Sequence, residues 1–475
     1  MPLSFAQQRL LFLEVLTPGD ISYNMPLALR LQGPVDTKAL RGALEALIRR
    51  HEILRTTYAL SKGSAWQVVS PPPAPGAHPV PILDLRALPS EVAAEESRRL
   101  ASAEMRRPLD IFQGPVFRST LLRLGVEDHV LVITVHHIAT DGWSWGILYG
   151  ELVELYETLA GGRKPDLPKL PLQYADYAAW QRSWLDGEAL KRQIGYWRER
   201  LAGIPKTEVP ADHPRPPLRT GRGALEPFSF PAEATEALRR LGREEEATLF
   251  MTLLSAFSLL LHHYERRGDL VVGTDVANRR WREAEGLVGL FVNQLVLRLD
   301  LSGDPTFREI LWRVRRVTLE AYANQDAPFD KLVEILNPTR DMSRTPLFQV
   351  KFVLQNASFE ARTVQALSVS LFGFHNQTAK FDLLLNLSES GTGLAGNLEY
   401  STDLYERSTM VCLLDRFATV LKTVAERPEA RLGEIEEVLA ERDREARERR
   451  TEERRETRSR AVERVRRKAV AVSRG

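Results

Sequence analysis

Apolar residues recur at helical spacing over residues 37–50, where Leu40, Ala43, Leu44 and Leu47 share one face, and this period predicts an amphipathic helix. Before it, Leu10, Leu13 and Leu16 give residues 1–16 a helical spacing that Pro18-Gly19 closes. Residues 27–31 read as a short strand, and the proline-rich stretch 70–81 as a surface loop. A second helix is expected over 91–107. Strands are expected at 121–124 and 130–135, the latter almost wholly apolar, as suits a central strand covered on both faces. The next helix is expected over 145–160.

A proline- and glycine-rich connector follows at 161–172, then a helical hairpin ending near residue 201. A second α/β block runs from about residue 225 to 435. It holds expected helices at 247–264 and 306–323 and strands at 269–274, 293–300, 347–355 and 382–388. The chain has 475 residues. That exceeds one ordinary core and predicts two packed subdomains of alternating content. No sequence repeat relates the two blocks.

The net charge of +2 hides an uneven layout: residues 441–475 hold 14 Lys/Arg against 8 Asp/Glu, so the body is mildly acidic. That body offers no nucleic-acid surface. The tail reads as a solvated helix or frayed extension, or else as a docking element with a thin stripe of Val462, Val465 and Val470. The single cysteine, Cys412, excludes an internal disulfide and a cysteine-only zinc site; its apolar neighbours predict a buried thiol. There is no apolar run of membrane-spanning length and no signal-peptide pattern, so a soluble cytosolic enzyme is expected.

The chemistry concentrates in Val132-Ile-Thr-Val-His136-His137-Ile-Ala-Thr-Asp141-Gly142-Trp143-Ser144. A buried strand ends at two histidines. Alternation of side chains lets only one of them face a given cleft. An imidazole there can accept a proton from an attacking amine or hydroxyl near neutral pH. Gly142 permits a sharp turn and a close approach. Asp141 either orients the histidine directly or locks the turn by pairing with a remote arginine.

A His-His-x-x-x-Asp-Gly string at a strand end resembles the signature of acyltransferases with the chloramphenicol acetyltransferase fold. Six further strings are similar to the condensation domains of nonribosomal peptide synthetases, in the same order: Ser4-Phe-Ala-Gln-Gln-Arg-Leu10, Arg50-His-Glu-Ile-Leu-Arg-Thr56, Tyr174-Ala-Asp-Tyr-Ala-Ala-Trp180, Gly289-Leu-Phe-Val-Asn293, Gln325-Asp-Ala-Pro-Phe-Asp330 and Arg340-Asp-Met-Ser-Arg-Thr-Pro-Leu-Phe-Gln349. The resemblance covers about residues 2–437.

The resemblance implies two acetyltransferase-like α/β subdomains, 1–172 and 173–440, forming a V-shaped pseudo-dimer around a central tunnel, with 441–475 as a tail. It implies that His137 is catalytic, either as general base or as a group that orients the nucleophile and steadies the tetrahedral intermediate. His136 then packs inward, and Asp141 pairs with an arginine best matched by Arg279. Gly142, Trp143 and Ser144 form the turn, where a backbone N–H can face the developing oxyanion. Arg55 is a weaker candidate for lining the site, with a structural salt bridge as its alternative. Asn293 and Gln294 are expected at the tunnel. The implied partners are a donor acyl or peptidyl carrier protein and an acceptor that is a carrier protein or a small amine or alcohol. No metal or resident cofactor is implied, because the phosphopantetheine arm belongs to the carriers. A monomer in antibiotic or other secondary metabolism is the expected setting.

Leu11, Gln294 and Asn324 depart from residues usual in the family. The strings lack the heterocyclising and dual-epimerising patterns, and Thr17-Pro-Gly19 with Tyr23-Asn-Met-Pro26 resembles the subtype that accepts an L-configured donor end. The motifs begin at residue 3, and no usual linker to an adenylation domain follows. The expectation is therefore a stand-alone enzyme, a chain-terminal domain or a piece of a longer chain. Two rivals remain: a wax-ester or alcohol acyltransferase using the same site, and a recruitment module without catalysis.

Overall fold

A computed structural model describes residues 1–61, 63–336, 341–355, 362–373 and 377–445. The first half forms α1 (Phe5–Leu16), β1 (Asn24–Gln32), α2 (Thr37–Arg50), the hairpin β2 (Thr56–Ser61) and β3 (Ser64–Val69), β4 (Ile82–Asp84), α3 (Ser90–Met105), β5 (Phe117–Arg123), β6 (Asp128–His136) and α4 (Gly142–Ala160). Two helices, α5 (Tyr174–Trp184) and α6 (Glu188–Arg200), lead onward. The second half contains β7 (Gly223–Pro231), α7 (Ala232–Glu244), α8 (Leu249–Glu265), β8 (Asp269–Val276), α9 (Arg282–Glu285), β9 (Asn293–Asp300), α10 (Phe307–Ala323) and α11 (Phe329–Leu336). It ends with β10 (Val350–Gln355), β11 (Arg362–Val364), β12 (Leu367–Leu371), β13 (Leu383–Ser390), β14 (Gly393–Ser401) and α12 (Arg407–Glu426), and residues 432–445 are helical.

Two six-stranded sheets result, ordered β11-β12-β1-β6-β5-β4 and β7-β14-β13-β10-β8-β9. In the first, β6 is apolar throughout because both its faces are covered. Val130 and Val132 pack with Ala101 and Met105 of α3. Leu131, Ile133 and Val135 join a core with Leu44 of α2 and Leu148 and Leu152 of α4. In the second lobe α8 is apolar all round and correspondingly buried, with Leu253, Leu254, Phe257, Leu260 and Leu261 inside. No single described helix is long and apolar enough to cross a membrane.

Three findings correct the expected organisation. The 172/173 boundary is crossed: β12 pairs antiparallel with β1, Leu29 opposite Leu371, so the second half supplies the edge of the first sheet. Tyr174, Tyr177, Leu287, Leu290 and Phe291 also lie in the first core. The boundary at 440/441 cuts a packed helix: the Arg416 guanidinium donates to Asp443 at 2.6 Å, and Asp443 lies 3.4 Å from His263 Nε2. Cys412 is half-buried on α12 and not sealed in the core. Residues 446–475, with the valines Val462, Val465 and Val470, lie outside the described residues.

A chain ending at residue 440 is expected to melt below one ending at 445, by roughly 1–3 kcal/mol, because Arg416 loses a charge-assisted hydrogen bond. Equal thermal melts of the two chains would show that the helix end contributes nothing.

Candidate active site

Strand β6 ends at His136, directly across from Asn24 of β1. The chain then turns through one 3₁₀ turn, His137–Ala139, which the His136 side chain caps by accepting the Ile138 N–H at 3.1 Å. His136 is buried, with its ring 6.5 Å from that of Tyr23. Its Nε2 has no hydrogen-bond partner among the described residues. Burial, and then the nearby charge of Lys380, pushes its pKa down to about 4.

The next ring has a different setting. His137 is only partly buried, and its Nδ1 lies 2.7 Å from the Thr140 carbonyl oxygen. A carbonyl can only accept, so Nδ1 carries the proton and Nε2 presents a bare lone pair. Burial, followed by the positive charge of Lys380, holds the His137 pKa down at about 3, against the opposing pull of the Thr140 bond. The imidazole is therefore neutral near pH 7.

Asp141 does not bond the histidine; it locks the turn. It caps α4 from an extended backbone, and its Oδ1 accepts the Ser144 N–H at 2.8 Å and the Ser144 hydroxyl at 2.7 Å. Oδ2 accepts the N–H groups of Phe291 at 3.0 Å and Val292 at 3.3 Å. Arg279 completes the set at 3.3 Å from Oδ1, with both side chains 2% exposed. Its guanidinium also donates to Leu287 O at 2.7 Å and stacks 3.9 Å from the Phe291 ring centroid. The two halves are thus joined immediately behind the histidine turn. Gly289 extends the join, its N–H donating to the Ser144 hydroxyl oxygen at 3.1 Å. A Cβ at Gly289 would lie 1.9 Å from the buried Tyr174 ring, so glycine is required there.

Other expected residues fall differently. Gly142 needs no unusual backbone; the extended Asp141 makes the turn, and a Cβ at Gly142 would meet Gln355 of β10 at an ordinary 3.7 Å. The Ser144 N–H is already bound by Asp141 and is not free for an oxyanion. Trp143 is a surface side chain whose indole N–H donates to Glu285 O at 3.0 Å. Arg55 is tied to the Ser70 carbonyl and, at 3.2 Å, to Glu52; its hydrogen bonds reach none of the histidine turn. Asn293 is a latch: its amide donates to Gln325 O and Ala327 O, both at 2.8 Å, and accepts from Phe329 N–H at 3.2 Å.

Gln294 does sit where the halves meet, accepting from Arg9 of α1 at 3.5 Å, while Arg9 pairs with Asp330 at 3.2 Å. Of the other departures, Leu11 is buried in the first core and Asn324 caps α10. One cavity lies beside Arg215, Asp382 and Asp403, and another inside the first core beside Leu29, Leu131 and Tyr156; His137 lines neither.

Sequence reasoning missed Thr140 and Lys380. Thr140 acts through its carbonyl, which leaves no residue-type signal. Lys380 is a lone lysine brought to the histidines only by the packing of the second lobe.

A strand-end histidine pair, locked by an aspartate to a second α/β lobe, defines a two-lobed protein of the fold that the motif suggested. The family model described as Condensation domain matches residues 1–446. One of the linear gramicidin synthase proteins of Brevibacillus parabrevis is 44% identical over 438 residues, which is 90% of this chain and 6% of that protein. The X-domain from teicoplanin biosynthesis is similar with a TM-score of 0.79 at 30% identity, covering 91% of this chain and 96% of that one. The SgcC5 protein from Streptomyces globisporus, in a complex with a naphthyl ethanediol and sucrose, gives 0.74 at 27% identity, covering 90% and 100%. The chain belongs to the condensation-domain family of nonribosomal peptide synthetases, and it spans less than a tenth of the length of the gramicidin synthase protein.

Proposed function

We propose that this chain transfers an acyl or peptidyl group from a carrier-bound thioester to an amine or hydroxyl nucleophile. The observation that carries the reading is His137 itself: a neutral imidazole with Nδ1 anchored on Thr140 and Nε2 left bare beside the second lobe. The nucleophile's N–H or O–H donates to Nε2 as its heteroatom attacks the thioester carbon. A C–N or C–O bond forms, negative charge collects on the carbonyl oxygen, and the C–S bond then breaks. The proton that leaves the nucleophile ends on the departing phosphopantetheine thiolate. Holding both partners at one ring replaces a bimolecular encounter with an effectively unimolecular one.

In this reading the phosphopantetheine arm is part of the substrate, delivered by a donor carrier, and the protein works as a cytoplasmic monomer. The acceptor is a second carrier or a small amine or alcohol; the diol in the SgcC5 complex favours including alcohols in the assay. Intact-protein mass spectrometry of loaded donor carriers, with amines and alcohols supplied, is expected to show acyl loss and a new amide or ester only when the chain is present. Carriers that stay loaded with every nucleophile would favour a recruitment module, and transfer from acyl-CoA to a long alcohol would favour an alcohol acyltransferase.

A further inference from the structure

Behind the histidine turn, three buried polar atoms lack a protein partner among the described residues: Asn24 Oδ1, Thr134 Oγ1 and His136 Nε2. Their residues are 4%, 1% and 2% exposed. They sit on one face of the first sheet. Thr134 and His136 are alternate residues of β6, and Asn24 of β1 is paired directly with His136. Side chains opposed in this way start roughly 5 Å apart, a span that one bridging molecule covers. Arg118 of β5, opposite Thr134, shows the same convergence: its guanidinium and the Asn24 amide both donate to Arg107 O, at 2.9 and 3.0 Å.

The neighbouring bonds fix what each atom offers. The Asn24 amide donates to Met105 O at 2.7 Å and to Arg107 O, so its nitrogen is spent and Oδ1 is a bare acceptor. The Ile138 N–H donates to His136 Nδ1 at 3.1 Å, and the ring is neutral near pH 7, so Nε2 carries the proton and can only donate. The Thr134 hydroxyl can donate or accept. An occupant must therefore accept from an N–H and donate to a carbonyl oxygen. A bare metal ion cannot do the first, and a fully ionised anion cannot do the second. A neutral hydroxyl does both, and a polar site closed to solvent suits the smallest one, water.

We propose that Asn24, Thr134 and His136 form a binding site for one buried water molecule. The water accepts from His136 Nε2–H and from the Thr134 hydroxyl and donates to Asn24 Oδ1, about three bonds being usual for an internal water. Without an acceptor, the buried Nε2–H carries a desolvation cost that favours turning the ring away from Ile138. The water removes that cost, and Nδ1 stays on the Ile138 N–H to cap the turn that carries His137. The site is independent of which group the chain transfers.

With ¹⁵N-labelled histidine, the His136 Nε2–H is expected to give a resolved, slowly exchanging signal with a cross-peak at the water frequency. A crystal structure is expected to show one ordered solvent peak within about 3.2 Å of all three atoms. Thr134→Val keeps the side-chain shape and removes one partner. It is expected to speed exchange of the His136 Nε2–H and of the Ile138 amide roughly fivefold to tenfold, the worth of one hydrogen bond. Thr134→Ser keeps the hydroxyl and should hold both near the wild-type rate. Exchange of the Leu385 amide, on β13 of the second lobe, should not change in either variant, which separates a local loss from general destabilisation. A wild type without the water cross-peak, a direct bond from His136 to Asn24 in the crystal, or Thr134→Val exchanging like the wild type would each overturn the proposal.

Discussion

Asp141→Ala is expected to cost roughly 3–5 kcal/mol of stability, the range for stranding one partner of a buried ion pair. The Ser144 N–H and hydroxyl of the turn converge on this carboxylate, and so do Arg279 and the N–H groups of Phe291 and Val292 from the second half. Without it the Arg279 charge stays almost wholly buried. Backbone carbonyls and the Phe291 face still contact the guanidinium but cannot neutralise it. Arg279→Leu is expected to strand the opposite charge at a similar cost. The double variant should lose clearly less than the two single losses added together, because neither charge is then left alone. Thermal melts of the four proteins measure this, and strictly additive losses would mean that the two side chains act independently.

His137→Ala is expected to lower the single-turnover rate of acyl transfer by a factor of roughly 10²–10⁴, the usual worth of a positioned proton acceptor. The fold should survive, because the ring's hydrogen bond is to the nearby Thr140 carbonyl and the residue is not among those of the core. The pH profile carries a second signature. A folded-state pKa near 3 leaves the ring neutral as pH falls from 8 to 5. With a hydroxyl nucleophile, which does not titrate in that range, the wild-type rate should show no acid limb near the ordinary histidine value. A limb centred near pH 6.5 that disappears in His137→Ala would place a titrating imidazole in the mechanism.

Local signals carried much of the fold. The helix expected at 37–50 appears at those residues because Asp36 caps it with bonds to Lys38 and Ala39 N–H while its apolar face packs inward. The strand over 293–300 is equally local, and its partner β8 runs two residues beyond the expected end. Helix α4 starts at Gly142, ahead of the expected Trp145, since Gly142 and Trp143 are weak helix formers and the Asp141 cap overrides them.

Non-local pairing was not legible. The short β12 alternates apolar and polar residues as many strands do, and nothing within it says that its partner is β1, more than three hundred residues earlier. The histidine turn and the Asp141–Arg279 pair could be read because the motif carries them together with their order in the chain. Arg55 and Asn293 matched motif positions equally well, yet their hydrogen bonds serve local latches. Position in a motif does not specify where a side chain points.

The proposed chemistry turns on the tautomer of one ring. ¹⁵N spectra of the histidine-labelled protein at pH 7, with His137 assigned by its loss in His137→Ala, test it most directly. The expected result is a neutral ring with the proton on Nδ1 and a bare Nε2. A proton on Nε2, or a fully charged ring, would contradict it.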